Sequence, residues 1–339
     1  MATSGAGFEA DARRPTFGER LTALWFRSLQ RGFQSAPAWV ADSVADALAP
    51  VVVFWTRRHE RRVAPKGRGL VRNQRIVFRD RWNEEFSDAH LRRWARHMTH
   101  CIVDFCRMPR ITAASLERFV DMADQRTLDQ VLAEGRGAIC ATGHFGFWEL
   151  CSHVASVHGV PATTVYRPLR NPALDAEFRR VRSSGGPQLV PKWGAVRETL
   201  RALADGRAVG LAVDENTEHS PVFVPFLGTL AATNTTVAAL AFRTGAPIVV
   251  VSCNRTGRER FKFHVWDVIR MAKSRPSASD IEAVMRRVND ALGRAVERYP
   301  EQWLWGARRF ATRPPGETPM ADGLPPIAEL EPSSGSASP

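Results

Sequence analysis

The segment Ala138-Ile-Cys-Ala-Thr-Gly-His-Phe-Gly-Phe-Trp-Glu149 carries the residue types best suited to chemistry. An apolar run ends in glycine, a histidine follows at once, and a carboxylate comes five residues later. On one regular helix, positions five apart point about 140° away from each other. His144 and Glu149 can therefore meet only if the histidine lies in the turn before a helix and Gly146 lets the chain fold back. Glu149 would then accept a hydrogen bond from one ring nitrogen, fixing the tautomer and raising the basicity of the other. A histidine held in that way takes a proton from an attacking alcohol, a contribution of roughly 10²–10⁴-fold. The same spacing also suits a turn histidine followed by a carboxylate that merely favours a helix N-terminus.

The elements around the pair must place it. Leu21, Leu24, Trp25 and Leu29 recur at helical spacing, and residues 15–55 read as two amphipathic helices. A basic segment runs from Arg57 to Arg81. Ser87 reads as the N-cap of a helix carrying Leu91, Trp94, Met98, Cys101, Ile102 and Phe105 on its core face. From about 127 short strands and helices alternate. Strands are predicted at 137–142, 163–166, 208–213, 247–253 and 261–266, with helices at 147–158, 172–184, 194–204, 233–244 and 277–299. That alternation predicts an α/β fold with a largely parallel sheet covered by helices. Ligands then bind outside the carboxyl ends of the strands, where His144 falls. The division predicted is 1–14 disordered, 15–110 helical, 111–312 α/β, and a Pro-, Gly- and Ser-rich tail at 313–339 left disordered.

Several blocks accompany the His144–Glu149 segment in a fixed order. They are Val165-Tyr-Arg-Pro-Leu-Arg-Asn-Pro172, Val213-Asp-Glu-Asn216, Val224-Pro-Phe-Leu-Gly228, Ala232-Thr233, Thr244-Gly-Ala-Pro247, and Pro300-Glu-Gln-Trp-Leu-Trp305 close to Arg308-Arg-Phe310. Together they resemble the bacterial late acyltransferases of lipid A biosynthesis, the lauroyl and myristoyl transferases, within the lysophospholipid acyltransferase superfamily. Phosphatidylinositol-mannoside acyltransferases are close relatives of that family. The resemblance runs from roughly 15 to 313. It implies a glycerol-3-phosphate acyltransferase-like fold and a catalytic pair at His144 and Glu149. It also implies an acyl thioester of acyl carrier protein or coenzyme A as co-substrate, with no cofactor, and a place on the cytoplasmic face of the inner membrane. Two departures stand out. Members often carry a clear N-terminal membrane helix, and a glycine soon after the threonine matched by Thr233, where Asn234, Thr235 and Thr236 follow here.

Other residues take roles beside the pair. Arg167, just past a predicted strand, suits a phosphate or the thioester oxyanion; otherwise it is a surface arginine before a proline turn. Arg170 is a second candidate of that kind. Asp214, at the end of another strand, would orient a base or a sugar, or cap its loop. Thr233 would donate to substrate or N-cap the next helix. Trp303 and Trp305 read as packing, Trp148 as core or a wall of an acyl channel, and Cys140 and Cys151 as small apolar core residues. His153 and His158 make no metal spacing, so no metal is assigned. The chain lacks a G-x-S-x-G segment, which argues against an acyl-serine intermediate.

With 47 basic against 35 acidic residues, the net charge of +12 favours anionic partners. No recognition motif or Cys/His finger accompanies that charge, so an anionic glycolipid, an acidic carrier protein and a membrane surface are the expected partners, and nucleic acid is not. A catalytically inactive lipid-binding relative is the remaining alternative. Five scattered cysteines suggest neither a zinc cage nor a disulfide framework. The apolar stretch Pro37–Trp55 is interrupted by Asp42 and Asp46. A charge near a bilayer centre costs roughly 2.5–3.5 kcal/mol, so no span is expected there. Residues 15–55 are expected to attach peripherally, either lying in the interface with the aspartates facing out or packed on the core.

Overall fold

A computed structural model describes residues 13–63 and 69–328. The chain opens with α1 (Phe17–Ser35), α2 (Ala38–Val63), α3 (Leu70–Phe78), α4 (Glu84–Arg107) and the short α5 (Leu116–Phe119). It continues through β1 (Val120–Asp121), α6 (Gln125–Leu132), β2 (Ala138–Thr142), α7 (Glu149–Val157), β3 (Ala162–Tyr166), α8 (Pro172–Arg182) and β4 (Gln188–Pro191). Then come α9 (Ala195–Ala204), β5 (Ala208–Ala212), β6 (Val222–Phe226), β7 (Thr229–Thr233), α10 (Thr236–Thr244), β8 (Ile248–Gly257), β9 (Arg260–Ile269) and α11 (Ala278–Arg298).

Among the described residues, seven strands form one sheet in the order β1-β9-β8-β2-β5-β3-β4. Every pairing in it is parallel except β8 with β9. The expected α/β architecture is therefore present, and β2 and β5 lie near its centre, with Ala138–Ala141 of β2 and Ala208–Val209 of β5 apolar and buried as in a covered parallel sheet. β5 comes fifth in the chain but inserts between β2 and β3, in register Thr142↔Ala212. The two central strands thus end side by side. β6 and β7 form a separate antiparallel hairpin, over a stretch for which the sequence predicts no strand.

The helical region 15–110 is joined to the sheet through two shared cores. Leu70, Ile76, Leu91 and Trp94 pack with Ile139 and Val209, while Cys101, Val103 and Phe105 pack with Cys140 and Val249. Helix α4 begins earlier than expected. Asn83, whose Oδ1 accepts from the Phe86 amide at 2.8 Å, is its N-cap, and Ser87 is instead buried and donates to Gln74. The basic segment 57–81 contains the end of α2 and all of α3.

Helix α2 is long and apolar enough, by length and composition, to cross a membrane. In this fold its Ala41, Ala45 and Ala49 are buried along one stripe, and α4 packs on it. Both aspartates have ion partners on the protein, as in the packed one of the two alternatives, and Asp46 stays partly exposed. Asp42 pairs with Arg255 and Arg258, and Asp46 with Arg96 and His100. What faces out is apolar: Trp39, Phe54 and Trp55 are 60%, 62% and 60% exposed, beside Phe17, Leu21, Leu24 and Trp25 of α1. The small-residue face serves the helix contact, and the acids find counter-ions at its edge.

The tail is a further correction. Residues 313–328 pack on the body: Arg313 pairs with Glu317 and donates to the Leu230 carbonyl, Leu324 joins the core, and Ala328 donates to the Gly228 carbonyl. Arg79 donates to the Pro325 carbonyl at 2.9 Å. Composition hid these contacts because they are mostly backbone and arginine bonds. Residues 1–12 and 329–339, also expected to be disordered, lie outside the described residues.

Candidate active site

Beyond Thr142 the chain makes a tight turn before α7, and two glycines shape it. A Cβ on Gly143 would stand 2.9 Å from the Asp214 carboxylate. Gly146 has φ +63 and lies against the Cys253 carbonyl, so a side chain there meets both strain and a clash. The turn is held on two sides by backbone bonds. Gly146 N–H donates to the Gln302 carbonyl at 2.9 Å, Phe147 N–H to the Cys253 carbonyl at 2.7 Å, and Leu304 N–H to the His144 carbonyl at 2.9 Å.

His144 follows β2 by two residues and Asp214 follows β5 by two, so the paired strand ends bring them level. The Nδ1 of His144 bonds Asp214 Oδ1 at 2.9 Å. The other carboxylate oxygen accepts from the His144 amide at 2.8 Å and from the Trp303 indole Nε1 at 3.0 Å. Asp214 is only 2% exposed. Burial alone would raise its pKa, but the bonds from His144 and Trp303 outweigh that and hold it below the usual carboxylate range. Burial would likewise lower the pKa of His144. The bond to Asp214 and the charges of Asp214, Glu215 and Glu149 overcome it and push the imidazole up to about 9. Among the described residues, His144 Nε2 has no hydrogen-bond partner.

Glu149 does not hold His144, which corrects the bond expected from the five-residue spacing. It is the first residue of α7 and accepts two bonds from Arg182, at 2.8 and 2.5 Å. The Trp148 ring packs edge-on against the imidazole instead, with centroids 5.4 Å apart. Arg182 ends α8, lies over the rings of Tyr166 and Phe178, and keeps one buried guanidinium nitrogen, Nη1, without a hydrogen bond among the described residues. His144 takes its orienting carboxylate from just past the neighbouring strand β5, whose end is in register with that of β2, while Glu149 is engaged by Arg182.

The remaining predicted residues separate. Arg167 lies at the end of β3 and lines the same cavity as His144. Arg170 is exposed, lines none of the cavities at His144, and offers its carbonyl to Arg13. Thr233 is fully buried as the last residue of β7, neither N-cap nor at the cavity surface. Its hydroxyl donates to the Ala231 carbonyl and accepts from Arg309 at 2.8 Å. Arg309, missed in the sequence, is fully buried with no carboxylate bond among the described residues. It ties the Glu215 and Ala232 carbonyls to Thr233 and Asn289, and burial pushes it down to about 10. Trp303, expected to be packing, is wired to Asp214. Neither role has a local sequence signal, since both partners lie far away in the chain.

Two cavities meet at His144. One, of about 290 Å³, runs beside the whole of β3 between the sheet and α7. Its polar end has His144, Glu149, Arg167, Arg182, Lys192 and Glu215, and its other end has Leu128, Cys140, Cys151, Ala155, Ala162 and Ala208. Burial pushes the Cys140 and Cys151 thiols up to about 12, so they are neutral apolar wall. The other cavity, of about 750 Å³, is lined by Glu215, Asn216, Thr217, Glu218, His219, Asn234, Thr236 and Arg308 as well as His144 and Lys192. A histidine base between an apolar slot and a polar cleft is suited to joining a hydrocarbon-bearing group to a polar acceptor.

Similarity to known proteins agrees in kind. The chain is 27% identical over 201 residues to a phosphatidylinositol mannoside acyltransferase of Mycolicibacterium smegmatis, covering 58% of this chain and 64% of that protein. It is 29% identical over 206 residues to the lipid A biosynthesis lauroyltransferase of Escherichia coli, covering 59% and 65%. A lipid A biosynthesis acyltransferase of Haemophilus influenzae is 26% identical over 192 residues, covering 56% and 58%. The chain thus spans less than two thirds of the length of each of these relatives. The family described as bacterial lipid A biosynthesis acyltransferase matches residues 33–312, and the chain belongs to that family.

Proposed function

We propose that this protein transfers a fatty acyl group from a thioester of acyl carrier protein or coenzyme A to a hydroxyl of a membrane glycolipid, such as a lipid A precursor. The observation that carries this reading is His144, held by Asp214 through Nδ1, with Nε2 unpartnered among the described residues where the two cavities meet. The acyl chain lies in the slot beside β3, and the sugar of the acceptor lies in the polar cleft. Nε2 takes the proton of the acceptor hydroxyl as its oxygen attacks the thioester carbonyl. The tetrahedral oxyanion is met by Arg167 or backbone amides. Collapse breaks the carbon–sulfur bond, and the departing thiolate takes the proton back from His144, leaving an ester and a thiol.

Asp214 keeps Nδ1 protonated and turned inward, and steadies the imidazolium that forms. Glu149 acts in the same site without touching His144. Its charge adds to the field that keeps the imidazole basic, and it anchors Arg182 across the mouth of the acyl slot. The exposed apolar faces of α1 and α2 suit attachment to a membrane surface, where the acceptor lies.

The test incubates purified protein with acyl-carrier and coenzyme A thioesters and candidate glycolipids, then weighs the products. Lipid A precursors and mannosylated phosphoinositides are the first acceptors to compare. An acylated glycolipid formed by the wild type and not by His144→Ala is expected. The same product from both proteins, or none from either, would refute the reading.

A further inference from the structure

A third cavity lies away from the acyl slot. It is a groove of about 670 Å³ between the second half of α2 and the body, and its walls include Val52, Thr56 and Val63 of α2, Leu70, Trp94 and Arg308. Three observations bear on its occupant. First, the groove is mainly apolar, and it is flanked by the exposed rings of Phe54 and Trp55 on the face of α2 that suits a membrane. Second, Trp94 is only 8% exposed, and its indole Nε1 is buried with no acceptor among the described residues. A buried donor of that kind is normally satisfied, so an oxygen acceptor belongs beside it when the groove is filled. Third, Arg308 lines both this groove and the polar cleft at His144. Among the described residues its one ion pair is a loose contact of 3.7 Å to Glu218, and half of its side chain is exposed.

We propose that this groove holds a hydrocarbon chain of the lipid acceptor, and that Trp94 donates to the carbonyl oxygen linking that chain to its headgroup. Arg308 then stands at the passage from groove to cleft. A lipid seated in this way reaches His144 from the α2 side, with its sugar in the cleft and its chain still next to the membrane-facing helix. The donor's acyl chain occupies the separate slot beside β3, so the two hydrocarbon chains never compete. The inference rests on the reading that the acceptor is a glycolipid.

The test uses the full chain and a glucose monoester of a medium-chain fatty acid that ends in a photoactivatable diazirine, below its micelle concentration. Labelled peptides are mapped by mass spectrometry. Label is expected on 51–63 and around Trp94, and Thr56→Trp, which adds bulk from a half-buried position, is expected to lower it by about tenfold. Val63→Trp provides a second variant, and circular dichroism reports folding of both. Label found only in the slot beside β3 or on the exposed face of α1, or label unchanged in both folded variants, would overturn the proposal. Labelling needs no turnover. Groove labelling by a protein that transfers no acyl group would therefore count against the proposed function and leave the groove assignment standing.

Discussion

Two carboxylates hold residues that line one cavity, His144 and Arg182, and are put to different uses. Asp214 is buried and bonds a histidine, a partner that can lose its proton. Glu149 bonds an arginine, a partner that keeps its charge at any ordinary pH. Only the first pair can shuttle a proton; the second is a fixed brace between α7 and α8. The sequence spacing pointed at the brace, and the strand register supplied the shuttle.

Four substitutions separate the two pairs, and His144→Ala should have the largest effect. It should cost about 10²–10⁴-fold in kcat for acyl transfer, as expected for loss of a general base, and it should also lower thermal stability, because Asp214 is left buried without its imidazole partner. Asp214→Asn is next, at about 10²–10³-fold, because the amide permits the wrong imidazole tautomer. It should also move the pH profile. With the imidazole near 9, wild-type kcat/KM should climb as pH rises towards 9, and the Asn variant should reach its plateau at lower pH. Stability should run the other way. The folded pKa lies above the unfolded value near 6.5, so the contribution of the pair is complete below 6.5 and is lost as pH rises through 9. An identical activity limb in wild type and Asp214→Asn would break the assignment.

Glu149→Ala should act first on stability. Removing it leaves Arg182 largely buried and unpaired, which costs about 3 kcal/mol in denaturant unfolding. Rescue by Glu149→Ala with Arg182→Met would confirm the brace, and a variant of unchanged stability would count against it. The smallest effect expected is that of Trp303→Phe. Loss of one bond to a buried carboxylate corresponds to about tenfold in kcat with KM unchanged, read in the same acyl-transfer assay.

Much of this site was legible because strand ends announce themselves. The apolar runs before Gly143 and Asp214 are short and bounded, so both residues could be put at carboxyl ends of strands. Their meeting could not be read, because it depends on β5 inserting between β2 and β3 out of chain order. Trp303 and Arg309 escaped for a related reason. Their bonds to Asp214 and Thr233 span long stretches of chain, and indole and guanidinium donors leave no periodic pattern. Thr233 was misplaced because its polar type suggested a helix cap, whereas the hairpin of β6 and β7 extends through it.

By itself the sequence determined the alternating α/β order, the family, and a histidine in a glycine-bounded turn. Those follow from local periodicity and from residues adjacent in the chain. Tertiary structure alone decided which carboxylate serves that histidine, which cation binds the other, and which face of α2 is left bare. Each of these depends on which segments lie side by side, and that is set by strand register and by helix packing across distant parts of the chain.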